Sequence, residues 1–227
     1  MRNNLILGLL FVFILSTVSY AARPLATEDS GTVSVGEWEV ETGLESEIDN
    51  TSSVTNTLGI AFKTGINDSL DLGAEISSPS VDGEGGPGTT ALKIKYRFND
   101  ETDTLPSFAV GATVAGQPNN QDSVTTITAI ATKNLNDLAL HINLGSTSTG
   151  NTSETGYSGA IEYPVNDIIT VVGEIVGASA SGTSQLDALI GGRISITENM
   201  TIDGGFNINM SDNSPASKYT IGLTTIL

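Results

Sequence analysis

The stretch Leu92-Lys93-Ile94-Lys95-Tyr96-Arg97-Phe98 decides the fold class. Leu92, Ile94, Tyr96 and Phe98 alternate with Lys93, Lys95 and Arg97, and a period of two sends successive side chains to opposite faces of an extended strand. One face is then apolar and the other basic. The same pattern recurs on both sides. Leu70, Leu72, Ala74 and Ile76 alternate with Asp71, Gly73 and Glu75, and Leu138, Leu140, Ile142 and Leu144 alternate with Ala139, His141, Asn143 and Gly145. Near the end Met200, Ile202, Gly204, Phe206, Ile208 and Met210 alternate with Thr201, Asp203, Gly205, Asn207 and Asn209. After the first 22 residues no stretch has helical periodicity, and none approaches the ~18 apolar residues of a membrane-crossing helix.

Composition narrows the partners. The 227 residues hold 9 Lys plus Arg against 26 Asp plus Glu, a net charge of −17, which argues against a nucleic-acid partner because phosphate binding needs clustered cations. The absence of cysteine excludes disulfides, thiolate metal sites and cysteine nucleophiles. Only 38% of residues are hydrophobic, little for one large soluble core, yet the regular alternation of β-branched and apolar residues is foreign to disordered chains.

The start of the chain reads as a secretory signal peptide. Arg2 precedes the apolar run Leu5 to Leu15, interrupted only by Gly8, and Ser19 and Ala21 suit a cut after Ala21. Eleven residues are too few to cross a bilayer of about 30 Å as a helix.

The breaks between alternating segments fall into two kinds. Asn67-Asp68, Asn99-Asp100, Asn136-Asp137, Asn166-Asp167 and Glu198-Asn199 recur at intervals of 32, 37, 30 and 32 residues, and Asn and Asp suit tight turns. Between them lie stretches rich in Ser, Thr, Gly, Asn and Pro: 49–53, 78–88, 116–122, 146–153, 179–184 and 211–216. Alternating short turns and longer loops are expected of an outer-membrane barrel, with the short turns on the periplasmic side. Twelve strands follow, roughly 36–48, 54–65, 69–77, 89–98, 106–115, 123–134, 137–145, 154–164, 167–178, 185–196, 199–210 and 217–227. Phe62, Tyr96, Phe98, Phe108 and Tyr163 sit near the short turns, where an interfacial girdle belongs. The expected fold is all-β, a membrane-spanning antiparallel up-and-down β-barrel of about 12 strands. Residues 1–21 form the signal peptide, 22–35 an N-terminal periplasmic segment and 36–227 the barrel. A soluble β-sandwich would alternate similarly but with fewer, shorter strands.

With apolar residues facing outer-membrane lipid, the charges collect inside. Glu39, Glu41, Asp71, Glu75, Lys93, Lys95, Arg97, His141, Glu162, Glu174, Asp187 and Arg193 are the expected lumen-lining residues, with Glu45, Glu47, Lys133 and Asp203 beside them. Lys or Arg on the lipid face would cost about 2 to 4 kcal/mol near the midplane. Two readings stay open. The charges sort small-molecule solutes passing through the lumen, or Lys93, Lys95 and Arg97 pair with Asp71 and Glu75 and fill it. Twelve strands lie between filled eight-stranded barrels and open porins, so size alone does not decide.

Catalytic and metal signals are thin. His141 is the sole histidine, and its alternation points it inward, away from the lipid-exposed surface where an outer-membrane phospholipase keeps its Ser, His and Asn. One histidine builds no transition-metal cluster. The loop Asp82-Gly83-Glu84-Gly85-Gly86 has two carboxylates, short of a dedicated Ca²⁺ site, and reads as a flexible surface loop. No enzyme activity, cofactor or metal is expected.

The segment Arg23-Pro24-Leu25-Ala26-Thr27-Glu28-Asp29-Ser30-Gly31-Thr32-Val33, followed by Gly36-Glu37-Trp38-Glu39-Val40-Glu41, resembles the start of the bacterial outer-membrane family named for the meta-pathway of phenol degradation. The likeness beyond it is one of strand-turn pattern. The resemblance implies a Gram-negative, transporter-like barrel, with aromatic-compound uptake attributed to some members and no catalytic residues to carry over. The chain departs from many barrels in ending Thr225-Ile226-Leu227 rather than in an aromatic residue, and its loops are lean for the family. The expected function is a channel or transporter for passive passage of small solutes. The alternative is a closed-lumen structural or surface-loop interaction barrel.

Overall fold

The computed structural model describes residues 23–49, 51–118, 122–180, 183–211 and 217–227. The expected signal peptide lies outside them. Twelve strands form the wall: β1 (Trp38–Ile48), β2 (Val54–Asn67), β3 (Leu70–Val81), β4 (Thr89–Asn99), β5 (Ser107–Gly116), β6 (Val124–Leu135), β7 (Leu138–Thr149), β8 (Thr152–Pro164), β9 (Ile169–Ala180), β10 (Thr183–Thr197), β11 (Met200–Asn209) and β12 (Ser217–Ile226). Each pairs antiparallel with the next, and β1 pairs with both β2 and β12, so the sheet closes and leaves no edge. The seam runs from Glu39 opposite Ile226 to Ile48 opposite Ser217.

Alternation sets the two surfaces. Leu92, Ile142 and Ile221 are 70%, 64% and 57% exposed on the outside, a degree of apolar exposure that only a lipid solvent tolerates. Phe62, Tyr96, Phe98, Phe108 and Tyr163 lie on this outer face at the short-turn end, with Tyr96 and Phe98 edge-to-face at 5.3 Å between ring centres. Phe206 and Tyr219 pair at 5.0 Å toward the opposite end.

Turn lengths depart from the expected polarity. The stretch 146–153 closes as a tight hairpin at Gly150-Asn151, and 179–184 is likewise mostly strand, because Ser and Thr tracts continue the ladder as readily as apolar residues. The β4–β5 connection at the other end spans 100–106. The loop around Asp82 is tied down: its carboxylate accepts from the Val54 N–H at 2.9 Å and the Ser53 hydroxyl at 3.0 Å, and Glu84–Gly85 pairs back onto β3.

Candidate functional site

Residues 23–33 run inside the barrel as a strap. It leaves at the short-turn end, where the Thr32 hydroxyl donates to the Asp68 carbonyl at 2.9 Å and Ser34 and Val35 are exposed. Before Val35 the segment pairs with no strand, and several of its buried backbone polar groups take wall side chains as partners instead. On β9, Glu174 accepts from the N–H groups of Ala26 (2.9 and 3.0 Å) and Thr27 (2.9 Å) and from the Thr27 hydroxyl (2.7 Å). Asn143 on β7 accepts from the Glu28 N–H at 2.7 Å and donates to the Glu28 carbonyl at 2.8 Å. Ser30 N–H donates to the Thr132 hydroxyl at 2.9 Å, and Val33 N–H to the Asp71 carboxylate at 2.9 Å. Val35 then bridges Gly65 before β1 begins. Thr27, Asp29 and Ser30 are buried. The segment expected as a periplasmic lead-in thus lies against the lumen wall, and sequence carried no signal for this, because a backbone N–H has no residue signature.

The wall fits the strap in detail. Arg23 donates to the Thr220 hydroxyl and to the Ile221 carbonyl (3.1 Å) on β12, and its Nε lies 3.6 Å from Asp203 on β11. Gly43 and Gly222 face each other across the seam, and a Cβ at either would fall on the Arg23 guanidinium. Arg193 on β10 donates to the Arg23 carbonyl at 2.7 Å and to Glu162 at 2.5 Å. Glu162 also approaches His141 Nε2 at 3.4 Å, and His141 Nδ1 shares a hydrogen bond with Thr132 at 3.1 Å. A buried polar chain therefore links the strap to β6, β7, β8 and β10.

The pairing parity places Glu39, Glu41, Asp71, Glu75, Lys93, Lys95, Arg97, His141, Glu162, Glu174, Asp187 and Arg193 on the inward face. Two groups separate. His141, Glu162, Glu174 and Arg193 are engaged beneath the strap, whereas Glu41, Glu75 and Lys93 face open space. The basic row of β4 divides its partners: Lys93 pairs with Glu75 (2.6 Å), Lys95 turns to Asp29 of the strap (3.7 Å), and Arg97 pairs with Asp100 in the turn (2.7 Å).

Three sequence expectations are corrected. Lys133 lies opposite outward Leu140, at the short-turn rim, where it pairs with Glu101 at 2.8 Å; the weak alternation of β6 concealed its facing. Ile130, Val172 and Leu189 are apolar yet point inward and are nearly fully buried, since the strap converts that side of the lumen into a core. Lys63 was missed altogether. It faces inward on β2, pairs with Glu39, and lies 3.3 Å from Glu41. Its alternation with Phe62 was the available signal.

Between the strap and the β1–β6 arc remains a cavity of about 350 Å³, bordered by Arg23, Leu25, Glu41, Lys63, Glu75 and Lys93. The inward positions between those charges are small: Gly43, Gly59, Ala61, Gly73 and Gly111. Small residues on one arc and buried polar partners on the other push the free space to one side.

No family model matches the sequence, and comparison with curated proteins finds no relative. Solved structures do resemble the fold. The NanC porin matches with a TM-score of 0.63 at 12% identity, over 83% of this chain and 98% of that one. The KdgM porin matches at 0.60 and 12%, over 82% and 98%. The COG4313 outer membrane channel from Pseudomonas putida F1 matches at 0.61 and 12%, over 88% and 98%. At such identities the likeness concerns architecture: the chain has the twelve-stranded fold of outer-membrane porin-like barrels.

Proposed function

We propose that the protein resides in the bacterial outer membrane and passes small solutes passively through the part of the lumen that the strap leaves free. The observation that carries this reading is the cavity of about 350 Å³ beside a glycine- and alanine-rich arc, within a barrel whose outer face is apolar. A lumen meant only to be filled would carry large side chains there. Volumes of this order accommodate solutes of metabolite size. The porins and channel of similar fold support the reading, and the N-terminal motif supports aromatic compounds as one class of solute. KdgM has been solved in complex with oligogalacturonate, a polyanion; here acids and bases interleave around the cavity, which favours smaller solutes over an extended acidic chain. The closed-lumen alternative is favoured by the strap's many wall contacts. Planar-bilayer recording of the refolded protein separates the two. Steady unitary conductance is expected, and silence over a wide voltage range would establish the closed barrel.

A further inference from the structure

The charges around the cavity are ordered in rows. In the register from β2 to β4 Lys63 lies opposite Gly73, and Gly73 opposite Lys93, so two ammonium-bearing residues flank a glycine. Glu39, opposite Lys63 on β1, is fully buried against it and does not border the cavity. Two residues further from the short turns, Ala61 lies opposite both Glu41 and Glu75, so two carboxylates flank an alanine. All of these positions face inward. With strand residues about 3.4 Å apart, the backbone positions of the basic and acidic rows lie about 7 Å apart along the wall. Their heads lean together, Lys93 pairing with Glu75 at 2.6 Å and Lys63 lying 3.3 Å from Glu41. Glycine and alanine at the centre of each row keep the space in front of it open. The charged heads differ in access: Lys93 and Glu75 are each about one-third exposed, Lys63 one-quarter and Glu41 15%. Leu25 of the strap also lines the cavity and gives it an apolar side chain from the strap's side.

We propose that this cavity is a binding site for a small zwitterion, a solute carrying one carboxylate and one ammonium on a short apolar frame. The carboxylate faces the Lys63–Lys93 row, the ammonium faces the Glu41–Glu75 row, and the frame lies toward Leu25. A lone anion meets the acidic row as well as the basic one, and a lone cation meets the converse. Each is disfavoured in a partly desolvated lumen where unpaired charge is costly. A neutral solute must displace water from the charged heads without replacing its bonds. A zwitterion alone complements both rows. The ordering also gives the bound solute one polarity, ammonium toward the long-loop end.

The inference builds on the channel reading but is tested separately. Saturation-transfer NMR with β-alanine on the full-length refolded protein reads binding, and liposome swelling with β-alanine, glycerol, sodium lactate and ethanolammonium chloride reads flux. Binding is expected in the wild type, together with β-alanine entry about fivefold faster than that of the other three solutes. Lys93→Gln and Glu75→Gln should each abolish the transfer signal. The exchange Lys93→Glu with Glu75→Lys keeps the pair and the net charge but breaks the uniform sign of both rows, so it should fold with an intact heat shift and lose β-alanine. Binding without entry of any solute would refute the channel while retaining the site. Absence of β-alanine binding in the wild type, or undiminished binding in the exchange variant, would overturn the site whatever the flux.

Discussion

Glu174 holds Thr27 twice, accepting from its backbone N–H at 2.9 Å and its hydroxyl at 2.7 Å, from a wall position 147 residues away in sequence. The Ala26 N–H adds a third donor to the same carboxylate. Hydrogen bonds to a charged acceptor contribute about 1.5 to 3 kcal/mol each, and removing the acceptor leaves buried donors unpaired. Glu174→Ala should therefore release this part of the strap. Larger unitary conductance, together with a lower heat-shift temperature on SDS gels, is the expected outcome; unchanged conductance in a conducting, folded variant would show that the strap does not narrow the path.

Arg23 over the seam supplies a second test. Gly222→Val places a branched side chain where the guanidinium lies and should displace Arg23 from Asp203, at a cost of about 1 to 3 kcal/mol for overpacking. Arg23→Ala should relieve the guanidinium's share of the clash, leaving the close approaches to Asp203 Oδ2 (2.7 Å) and the Thr42 carbonyl (2.9 Å). A double-mutant cycle on the heat-shift temperature is expected to show strong coupling between the positions, and additive effects would contradict the packing described.

Facing is testable at Ile142, 64% exposed between the inward residues His141 and Asn143. Ile142→Arg should impair assembly by about 2 to 4 kcal/mol if the position lies near the midplane. Asn143→Leu should assemble and weaken only the Glu28 attachment. Normal assembly of Ile142→Arg would reverse inside and outside.

The β4–β5 turn carries a pH dependence. Partial burial pushes the Glu101 carboxyl up, but the Lys133 ammonium at 2.8 Å and the Asn134 N–H and amide outweigh it and hold it below the ordinary carboxylate range. A depressed carboxyl stabilises the folded state fully above its ordinary value, and that contribution is lost as pH falls through the depressed value. Glu101→Gln should leave a heat-shift temperature less sensitive to acid than that of the wild type. Identical acid profiles would show that the turn's ion pair contributes nothing measurable.

Much of the barrel was legible because its physics is local. Leu92 to Phe98 declares a two-faced strand through side chains that are neighbours in sequence, and Asn136-Asp137 declares a turn through its own backbone preference, with Asn136 at a positive φ of 54°. Strand ends were less legible. At Thr149 and Thr152 the ladder continues past the apolar belt, because backbone pairing does not stop where hydrophobicity does.

The site was legible only in part. Parity alone put Glu174, His141 and Glu162 on the inner face, but their present partners depend on a segment that is neither periodic nor charged in a telling way. Ile130, Val172 and Leu189 show the same limit from the other direction, since they are buried by the strap and their own strands contain no mark of it.

By itself the sequence determined a closed antiparallel barrel, its strand number and, where alternation is strong as in β3, β4 and β7, the sides on which side chains lie, since period two and turn chemistry act between residues a few positions apart. Tertiary structure alone decided that residues 23–33 enter the lumen, that Lys63 joins Glu39 and Glu41, and that Lys63 lines up with Lys93 across β2 to β4 and Glu41 with Glu75 across β1 to β3. Those relationships depend on the register between strands and on the angle at which rows cross a closed wall, quantities set when all twelve strands pair at once.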